Sequence, residues 1–512
     1  DPFYDMVFDV SVGYDLKGIS SPPVRRWLQN MQDAGDAIEA MLAALPPKFA
    51  AFKKLPVPTC LADSVTLSTF HGCPRDEIEA IVQHLIREHH FHVIVKMNPT
   101  ILGYDFVRHT LQNDLGYEHI ALDPAAFEND LQFDEGVAMM KRLVAFAGKH
   151  NRNVGAKFTN TLVVKNREKV FDDEVQYLSG PPLHVLAMHA MQRFRRALGD
   201  DFHISFSAGV TKHNFAEAVR CNMKPITTCT DLLKTGGYTR LFDYLLNLKA
   251  AMEKCECRTI DAFIIKSAEQ ESGKDRHAAG MANAERLIPQ LVENPRYHYH
   301  KNRKAPPKID SRLALFDCIT CNKCLPVCPN AANFSIPTGT MDIPITHFRI
   351  ENGAFVGVEN GAFQLQKTHQ IANLADFCNE CGDCDTYCPE HGGPFVAKPR
   401  FFFSRESFEK DKNQNGFFFE TPAHLLGCID GQDYALSLDP ATGQYTYKSE
   451  AATLTLGAGH ELIAAQAAAL DLPEGTEIDL TPYYAMRVLL NGLLEHPEMY
   501  AAVVLRKNEM HK

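Results

Sequence analysis

Short apolar runs alternate with amphipathic stretches over the first half of the chain. The strand-like runs are Met6–Val12, Ser64–Thr69, His92–Met97, Val154–Phe158, His203–Ser207 and Pro225–Cys229. Between them, apolar positions recur at helical spacing, most clearly in Glu77–Glu88. Alternating strands and helices predict parallel βαβ units, and so many of them favour an α/β fold, a (β/α)8 TIM barrel, over residues 1–254.

The pattern changes after residue 254. Residues 255–310 are polar, basic and proline-containing, which predicts a connector. Residues 311–400 predict an α+β module with an inserted β-hairpin, formed by Thr346–Ile350 and Ala354–Val358. Residues 401–512 predict a small α+β C-terminal cap without visible chemistry.

Composition narrows the class of protein. Hydrophobic residues make up 45% of the chain and charged residues 22%, which is typical of soluble globular proteins. No apolar run is long enough to span a membrane. There are 63 Asp and Glu against 52 Lys and Arg, and the net charge of −11 argues against nucleic acid as a partner. The 15 cysteines predict a reducing compartment, and we expect a cytoplasmic protein.

Two copies of one cysteine spacing carry the strongest chemical signal. Residues 318–329 read CITCNKCLPVCP and residues 378–389 read CNECGDCDTYCP. In this ferredoxin spacing, three cysteines bind one [4Fe–4S] cluster and the fourth binds the other cluster. The chain therefore predicts a ferredoxin-like domain with two [4Fe–4S] clusters. The predicted ligands are Cys318, Cys321, Cys324 and Cys388 for one cluster, and Cys378, Cys381, Cys384 and Cys328 for the other.

Other roles for these cysteines are disfavoured. Structural zinc sites use paired Cys-x2-Cys units rather than two four-cysteine runs that each precede a proline. Disulfide frameworks suit short secreted chains, whereas this chain has 512 residues and no apolar signal segment at its start.

Candidate chemistry in the first half lies at strand ends, where barrel enzymes keep their active sites. Cys73 lies between a strand and a helix, and the helix dipole there would make its thiol a usable acid or nucleophile. A buried structural cysteine is the alternative. Lys96 ends an apolar strand, which is costly unless the ammonium meets an anion or an electron-rich ring.

Further strand ends carry amides, hydroxyls and small residues. Asn160 and Thr161 follow one strand. Ser207–Gly209 and Thr228–Thr230 end the last two strands, and their backbone N–H groups could hold a phosphate.

Residues 1–254 resemble the later part of the FMN barrel of dihydroorotate and dihydropyrimidine dehydrogenases. The segments that carry the resemblance are FDVSVGYDLKGI (8–19), LSTFHGCPRDEIEAI (67–81), VKMNPTILGY (95–104) and DLLKTGGY (231–238). Together with DFCNECGDCDTYCPEHGGPF (376–395), they make the chain similar to selenate-reductase-type iron–sulfur proteins linked to anaerobic purine catabolism.

The resemblance implies FMN as a cofactor and gives roles to the strand-end residues. It implies that Cys73 is the acid/base residue and that Lys96 contacts the flavin ring and ribityl chain. It also implies that Asn160 and Thr161 contact substrate or flavin. The residues implied at the FMN phosphate are Ala208, Gly209, Cys229 and Thr230.

Three features depart from the family pattern. Phe70 stands where the pyrimidine enzymes have Asn, three residues before the acid cysteine, which argues against a simple pyrimidine substrate. Cys73-Pro74 runs almost directly into a helix instead of lying on a longer loop. The recognisable strands correspond to the family barrel from about its third strand onward. The first two strands are apparently missing, so we expect a longer chain or another polypeptide to supply them.

The leading hypothesis is an iron–sulfur oxidoreductase subunit. Electrons would pass through the two clusters to or from the FMN barrel, which would reduce a small unsaturated N-heterocycle derived from a purine or pyrimidine. No G-x-G-x-x-G follows a strand, so we expect other redox subunits that bind FAD and NAD(P)H or contain molybdenum.

Two alternatives stay open. One is a non-catalytic electron-transfer subunit of a larger molybdenum or flavin complex, in which the barrel is a scaffold. The other is a selenate-reductase-associated subunit, for which the sequence shows no molybdopterin-binding feature.

Overall fold

The computed structural model describes residues 8–69, 74–167, 174–232, 234, 237–268, 275–303, 306–411, 415–467 and 472–506. The chain divides into two compact units. The first unit contains residues 1–232 and 238–304, and the second contains residues 233–237 and 305–512.

The first unit is built from helices, a parallel sheet and one antiparallel pair of strands. Its described strands are β1 (Asp9–Val12), β2 (Ser64–Ser68), β3 (His92–Met97), β4 (Val154–Phe158), β5 (Leu162–Lys165), β6 (Val175–Leu178) and β7 (Ile204–Phe206). Its described helices are α1 (Leu16–Ile19), α2 (Pro22–Gln32), α3 (Gly35–Ala43), α4 (Ile78–His89), α5 (Tyr104–Arg108), α6 (Pro124–Asn129), α7 (Phe133–Lys149), α8 (Pro181–Leu198), α9 (Phe215–Arg220), α10 (Leu241–Lys254), α11 (Ile260–Ser267), α12 (Arg276–Leu291) and α13 (Tyr299–Asn302).

The main sheet of this unit is parallel, with the strand order β1-β2-β3-β4-β7. Five of the predicted strand runs are thus confirmed. The sixth, Pro225–Cys229, contributes a single parallel bridge between Ile226 and Phe206. Parallel strands joined through helices give the α/β architecture of a TIM barrel, as predicted.

One face of the sheet forms the core with the helices. Apolar residues at alternate strand positions, such as Val65 and Leu67 of β2, are completely buried there. Helix α4 packs its apolar side into the same core, including Ile81 and Leu85, as the 3.6-residue spacing predicts.

The range predicted as a connector contains helices α11, α12 and α13. Ala284, Ile288 and Leu291 of α12 lie at helical spacing and are buried in the core of the first unit, together with Tyr297. The first compact unit therefore extends past residue 254, because this helix buries an apolar side that the polar composition of the range conceals.

The second unit is mainly antiparallel. Its described strands are β8 (Asn333–Pro337), β9 (Met341–Glu351), β10 (Ala354–Leu365), β11 (His369–Leu374), β12 (Arg400–Phe402), β13 (Gly416–Thr421), β14 (His424–Ile429), β15 (Gln432–Asp439), β16 (Gln444–Lys448), β17 (Ala452–Leu456), β18 (Leu462–Ala467) and β19 (Glu477–Ile478). Its described helices are α14 (Asp383–Tyr387), α15 (Pro394–Ala397), α16 (Arg405–Lys410), α17 (Thr481–Leu494) and α18 (Tyr500–Arg506).

A large sheet runs through this unit in the order β18-β17-β16-β15-β14-β13-β12-β11-β8. It joins strands from the range 311–400 with strands from the range 401–512, and helix α17 packs against β8, β14 and β15. The predicted hairpin is confirmed, because β9 and β10 pair antiparallel across Asn352-Gly353. Within the described ranges, none of the helices has both the length and the apolar character needed to cross a bilayer.

Candidate functional site

The face of the parallel sheet opposite the helices carries polar side chains, and we call it the lysine face. The strand registers place four residues at one level across it: Ser68, Lys96, Lys157 and Ser205. Because alternate residues of a strand point to opposite faces, these side chains share one side of the sheet. The level lies toward the carboxyl ends of the strands, where barrel enzymes keep their chemistry.

Lys157 lies on this face at the end of a hydrogen-bonded chain. Its Nζ donates to Thr66 Oγ1 at 3.4 Å, and Thr66 Oγ1 donates to Asp9 Oδ2 at 2.6 Å. Burial lowers the pKa of Lys157, and the Asp9 carboxylate partly opposes that shift. The sequence analysis missed this lysine, although a lysine within the apolar run VGAKF gives the same signal as Lys96.

The predicted residue Lys96 lies beside Lys157 in the sheet register. Burial lowers the pKa of Lys96 and the Lys157 charge lowers it further, whereas Cys229 raises it. Cys229 is therefore close enough to act on the Lys96 ammonium group. Two ammonium groups on one level favour an anionic or electron-rich ligand there.

Asn160 is buried in a network at the ends of β3 and β4. Its Nδ2 donates to Asn98 Oδ1 at 2.6 Å and to the Lys96 carbonyl at 3.4 Å. Asn98 Nδ2 in turn donates to Asp130 Oδ2 at 2.7 Å. Thr161, the next residue after Asn160, is partly exposed. The network fixes the amide of Asn160 close to Lys96.

Ala208 and Gly209 form a tight turn after β7. His184 Nδ1 donates to the Ala208 carbonyl at 2.9 Å, and Asn214 Nδ2 donates to the Gly209 carbonyl at 3.1 Å. Gly209 has φ +51°, and a Cβ there would lie 2.4 Å from the Gly180 carbonyl oxygen. Only glycine fits this position, because any side chain would collide with the Gly180 backbone.

The segment with Cys229 and Thr230 lies against that turn. Thr228 Oγ1 donates to the Val210 carbonyl at 3.1 Å, which joins the two strand-end segments. Thr230 Cγ2 lies 4.0 Å from the position of a Cβ built on Gly180. Cys229 is exposed. The segments that carry the residues predicted at the FMN phosphate are therefore neighbours.

Cys73 and Phe70 lie outside the described residues. The nearest described residues are Thr69 and Pro74. Thr69 Oγ1 donates to the Lys96 carbonyl at 2.5 Å, so Thr69 lies beside Lys96. The predicted role of Cys73 stays a prediction.

The four cysteines predicted to bind the first cluster line one small cavity. We call Cys318, Cys321, Cys324 and Cys388 the first cysteine set. Burial and then the charges of nearby cysteines raise the pKa of the Cys324 thiol to about 12. Glu390 and Lys398 line the same cavity, and the sequence analysis missed both.

The other four cysteines also lie near one another, and we call Cys328, Cys378, Cys381 and Cys384 the second cysteine set. Burial raises the pKa of Cys381, and Cys328 and Cys378 both add to the shift. The charge of Cys328 likewise contributes to the raised pKa values of Cys378 and Cys384. Cys388 thus lines one cavity with Cys318, Cys321 and Cys324, and Cys328 is close enough to act on the other three cysteines of its set.

This grouping fits two [4Fe–4S] clusters. Among the described residues, no three His, Cys, Asp or Glu side chains are placed to hold one metal ion. A cluster is different, because each of its four thiolates binds a different iron and the ligands stand further apart. No disulfide pairs any of these eight cysteines, so all of them can act as ligands.

Comparison with known proteins identifies the first unit. The family model described as "Oxidoreductase YgfK, N-terminal TIM-barrel domain" matches residues 2–279. The oxidoreductase YgfK of Escherichia coli (strain K12) is 37% identical over a 254-residue alignment that covers 46% of this chain and 24% of that protein. The corresponding protein of Escherichia coli O157:H7 gives the same values. The chain thus spans about a quarter of the length of these relatives.

Solved structures give a weaker likeness. DHODH from Eimeria tenella in complex with ferulenol is 14% identical, with a TM-score of 0.26 over 40% of this chain and 54% of that chain. The ligand-free DHODH from Eimeria tenella is also 14% identical, with a TM-score of 0.25 over 44% and 69%. These scores are too low to assign a ligand or an activity.

Proposed function

The chain belongs to the oxidoreductase family of YgfK, defined by its N-terminal TIM-barrel domain, and we propose that it couples two [4Fe–4S] clusters to FMN. In this proposal electrons pass through the clusters to or from FMN in the barrel. The reaction served is reduction of a small unsaturated N-heterocycle.

The grouping of the eight cysteines carries the proposal. Each set takes three cysteines from one run and one from the other run, which is how two-cluster ferredoxins use this spacing. Clusters exchange single electrons, whereas saturating a double bond needs two. Bound FMN would supply the conversion between the two, because flavins perform both one-electron and hydride chemistry.

The first unit offers a site for such a flavin. Lys96 and Lys157 supply positive charge on the lysine face, and the backbone of the neighbouring segments around Gly209 and Thr230 would hold the phosphate. Asn160, held at 2.6 Å by Asn98, would orient the ring or the substrate. Cys73 would donate the proton that completes reduction of the substrate.

The substrate, partners and location are part of the proposal. We propose a purine- or pyrimidine-derived heterocycle, consistent with a role in purine catabolism. Phe70 in place of an amide favours a ring other than a simple pyrimidine. We further propose that FAD and NAD(P)H-binding or molybdenum-containing parts of a cytoplasmic complex exchange electrons with the clusters.

Cys73→Ser tests the reaction. The purified protein is reduced with dithionite and mixed anaerobically with a panel of oxidised purines and pyrimidines, while flavin absorbance is followed. We expect one of these rings to reoxidise the flavin. Cys73→Ser should slow that reoxidation about 100-fold or more, because general acids contribute about 10²–10⁴-fold.

The matched control is Cys60→Ser, because Cys60 is an exposed cysteine outside the site. It should reoxidise at the wild-type rate. Equal rates in wild type and Cys73→Ser would contradict the acid role. Clusters without bound FMN would instead favour an electron relay with a scaffold barrel.

A further inference from the structure

The two cysteine sets differ in their surrounding charge. Between the cysteines of the run 318–328, the charged residue is Lys323. Between those of the run 378–388, the charged residues are Glu380, Asp383 and Asp385. Each run supplies three ligands of one set, so the first set has a basic loop and the second an acidic loop.

A buried lysine adds to this difference. Lys398 is 1% exposed, and its Nζ donates to the Ala314 carbonyl at 2.7 Å. It lines the cavity of the first cysteine set. Burial lowers the pKa of Lys398, and the charges of the Cys318, Cys324 and Cys388 thiolates and of the Glu390 carboxylate oppose that shift and favour the ammonium form. A positive charge held in a buried position is screened little by solvent.

Other charges around the first set largely cancel. The Glu390 carboxylate lines the same cavity and accepts hydrogen bonds from Ile319 N–H at 3.0 Å and the Ser311 hydroxyl at 3.0 Å. Lys308 Nζ lies 3.0 Å from Asp385 Oδ1 and also donates to the Glu390 carbonyl. Lys308 thus offsets the Asp385 carboxylate and Lys398 offsets that of Glu390, so the cavity of the first set is not acidic.

The second set keeps more negative charge. Arg400 is shared between two carboxylates, Glu380 at 3.5 Å and Asp411 at 2.8 Å. Asp383 directly precedes Cys384 and lies two residues after Cys381, so its carboxylate adds negative charge to the second set. The balance near the second set is therefore acidic.

We infer that the first cysteine set holds the cluster of higher reduction potential, and that the buried Lys398 ammonium is the residue that sets the difference. The inference rests on the proposed clusters. Reduction adds one electron from a donor and takes a four-thiolate cluster from a net charge of about −2 to about −3. No bond breaks and no proton is needed. A nearby positive charge stabilises the reduced form, and a nearby carboxylate opposes it.

The inference gives the clusters a direction. An electron that arrives at the second cysteine set moves downhill to the first. Lys398 is not a ligand of the cluster. It acts through its charge and thereby influences on which cluster the electron resides.

An EPR-monitored potentiometric titration with dithionite tests the inference on the purified protein. Wild type should show two one-electron steps. Lys398→Met should disfavour the higher-potential step about tenfold, which is a fall of about 59 mV for a one-electron couple. A unit charge within about 10 Å at an effective dielectric constant of about 20 has this effect. Lys398→Arg should keep the wild-type potential because it keeps the charge.

Two further variants complete the test. Lys410→Met removes an exposed lysine of α16 and should move neither step. Asp383→Asn should raise the lower-potential step and leave the higher one in place, which decides the assignment even where Lys398→Met assembles poorly. Intact clusters with unmoved potentials in Lys398→Met, or a shift of the higher step in Asp383→Asn, would overturn the inference. Wild-type protein without clusters would overturn the proposed function itself.

Discussion

Single side chains define the candidate site in the barrel unit. Gly209 shapes the backbone turn after β7, and His184 and Asn214 hold its carbonyl oxygens at 2.9 and 3.1 Å. Lys96 and Lys157 add positive charge one strand apart. Each has a distinct contribution, so substitutions at these positions give separable effects.

Gly209→Ala should abolish FMN binding while leaving the iron content unchanged. Its Cβ would lie 2.4 Å from the Gly180 carbonyl, and φ +51° costs an alanine about 1–2 kcal/mol. This clash would shift the backbone away from the proposed phosphate site. Flavin release after purification measures the effect, and we expect at least a tenfold loss. Gly148→Ala in helix α7, which has nothing within 4 Å, should bind FMN normally.

His184 should make stability depend on pH. Burial lowers its pKa to about 4, whereas an unfolded histidine has a pKa of about 6.5. The unfolded chain therefore binds more protons between these values, and stability falls as pH falls. The expected loss of unfolding free energy from pH 7 to pH 5 is about 2 kcal/mol.

Denaturant titrations at pH 7 and pH 5 measure this loss. His184→Gln should lose less stability over the same interval, because it has no proton to gain. Replacement of the exposed His300 by glutamine should keep the wild-type dependence. An identical pH dependence in wild type and His184→Gln would contradict the assignment to His184.

Among the structural elements, the strands and helices of the first unit were largely predictable. Apolar alternation in β2 and β3 and the helical spacing in α4 are local signals, and the structure follows them. Helix α12 was missed because its range was judged by polar composition, while the burial of Ala284, Ile288 and Leu291 depends on packing against distant elements.

The candidate sites were predictable to a different extent. Cysteine spacing is local, so both sets could be proposed from the sequence. Lys398 and Glu390 could not be, because nothing in their spacing shows that the fold returns them to the cavity of Cys318. The pairing of Lys157 with Lys96 could not be predicted either, because it depends on β3 and β4 being neighbouring strands.

The cysteine loops give a prediction of their own. Cys321→Ala should lose the cluster of the first set, because three thiolates hold a cluster much less tightly and ligation supports the loop fold. Iron content should fall by about half or more. Replacement of the exposed Cys60 by alanine should leave iron unchanged. Full iron content in Cys321→Ala would contradict the ligand assignment.

Across the whole molecule, the chain combines a family TIM barrel with a cysteine-rich second unit. The YgfK relatives are much longer, since the alignment covers 24% of their length. Two clusters in one unit and a flavin in the other would make the chain a converter between one-electron and two-electron chemistry.

Cofactor content of the natively purified protein tests this combination most directly. Iron, acid-labile sulfide and released flavin are measured per copy of the chain. We expect about eight irons, about eight sulfides and about one FMN, because two [4Fe–4S] clusters contribute four of each atom. About eight irons without FMN, or FMN without iron, would contradict the proposed coupling of the two units.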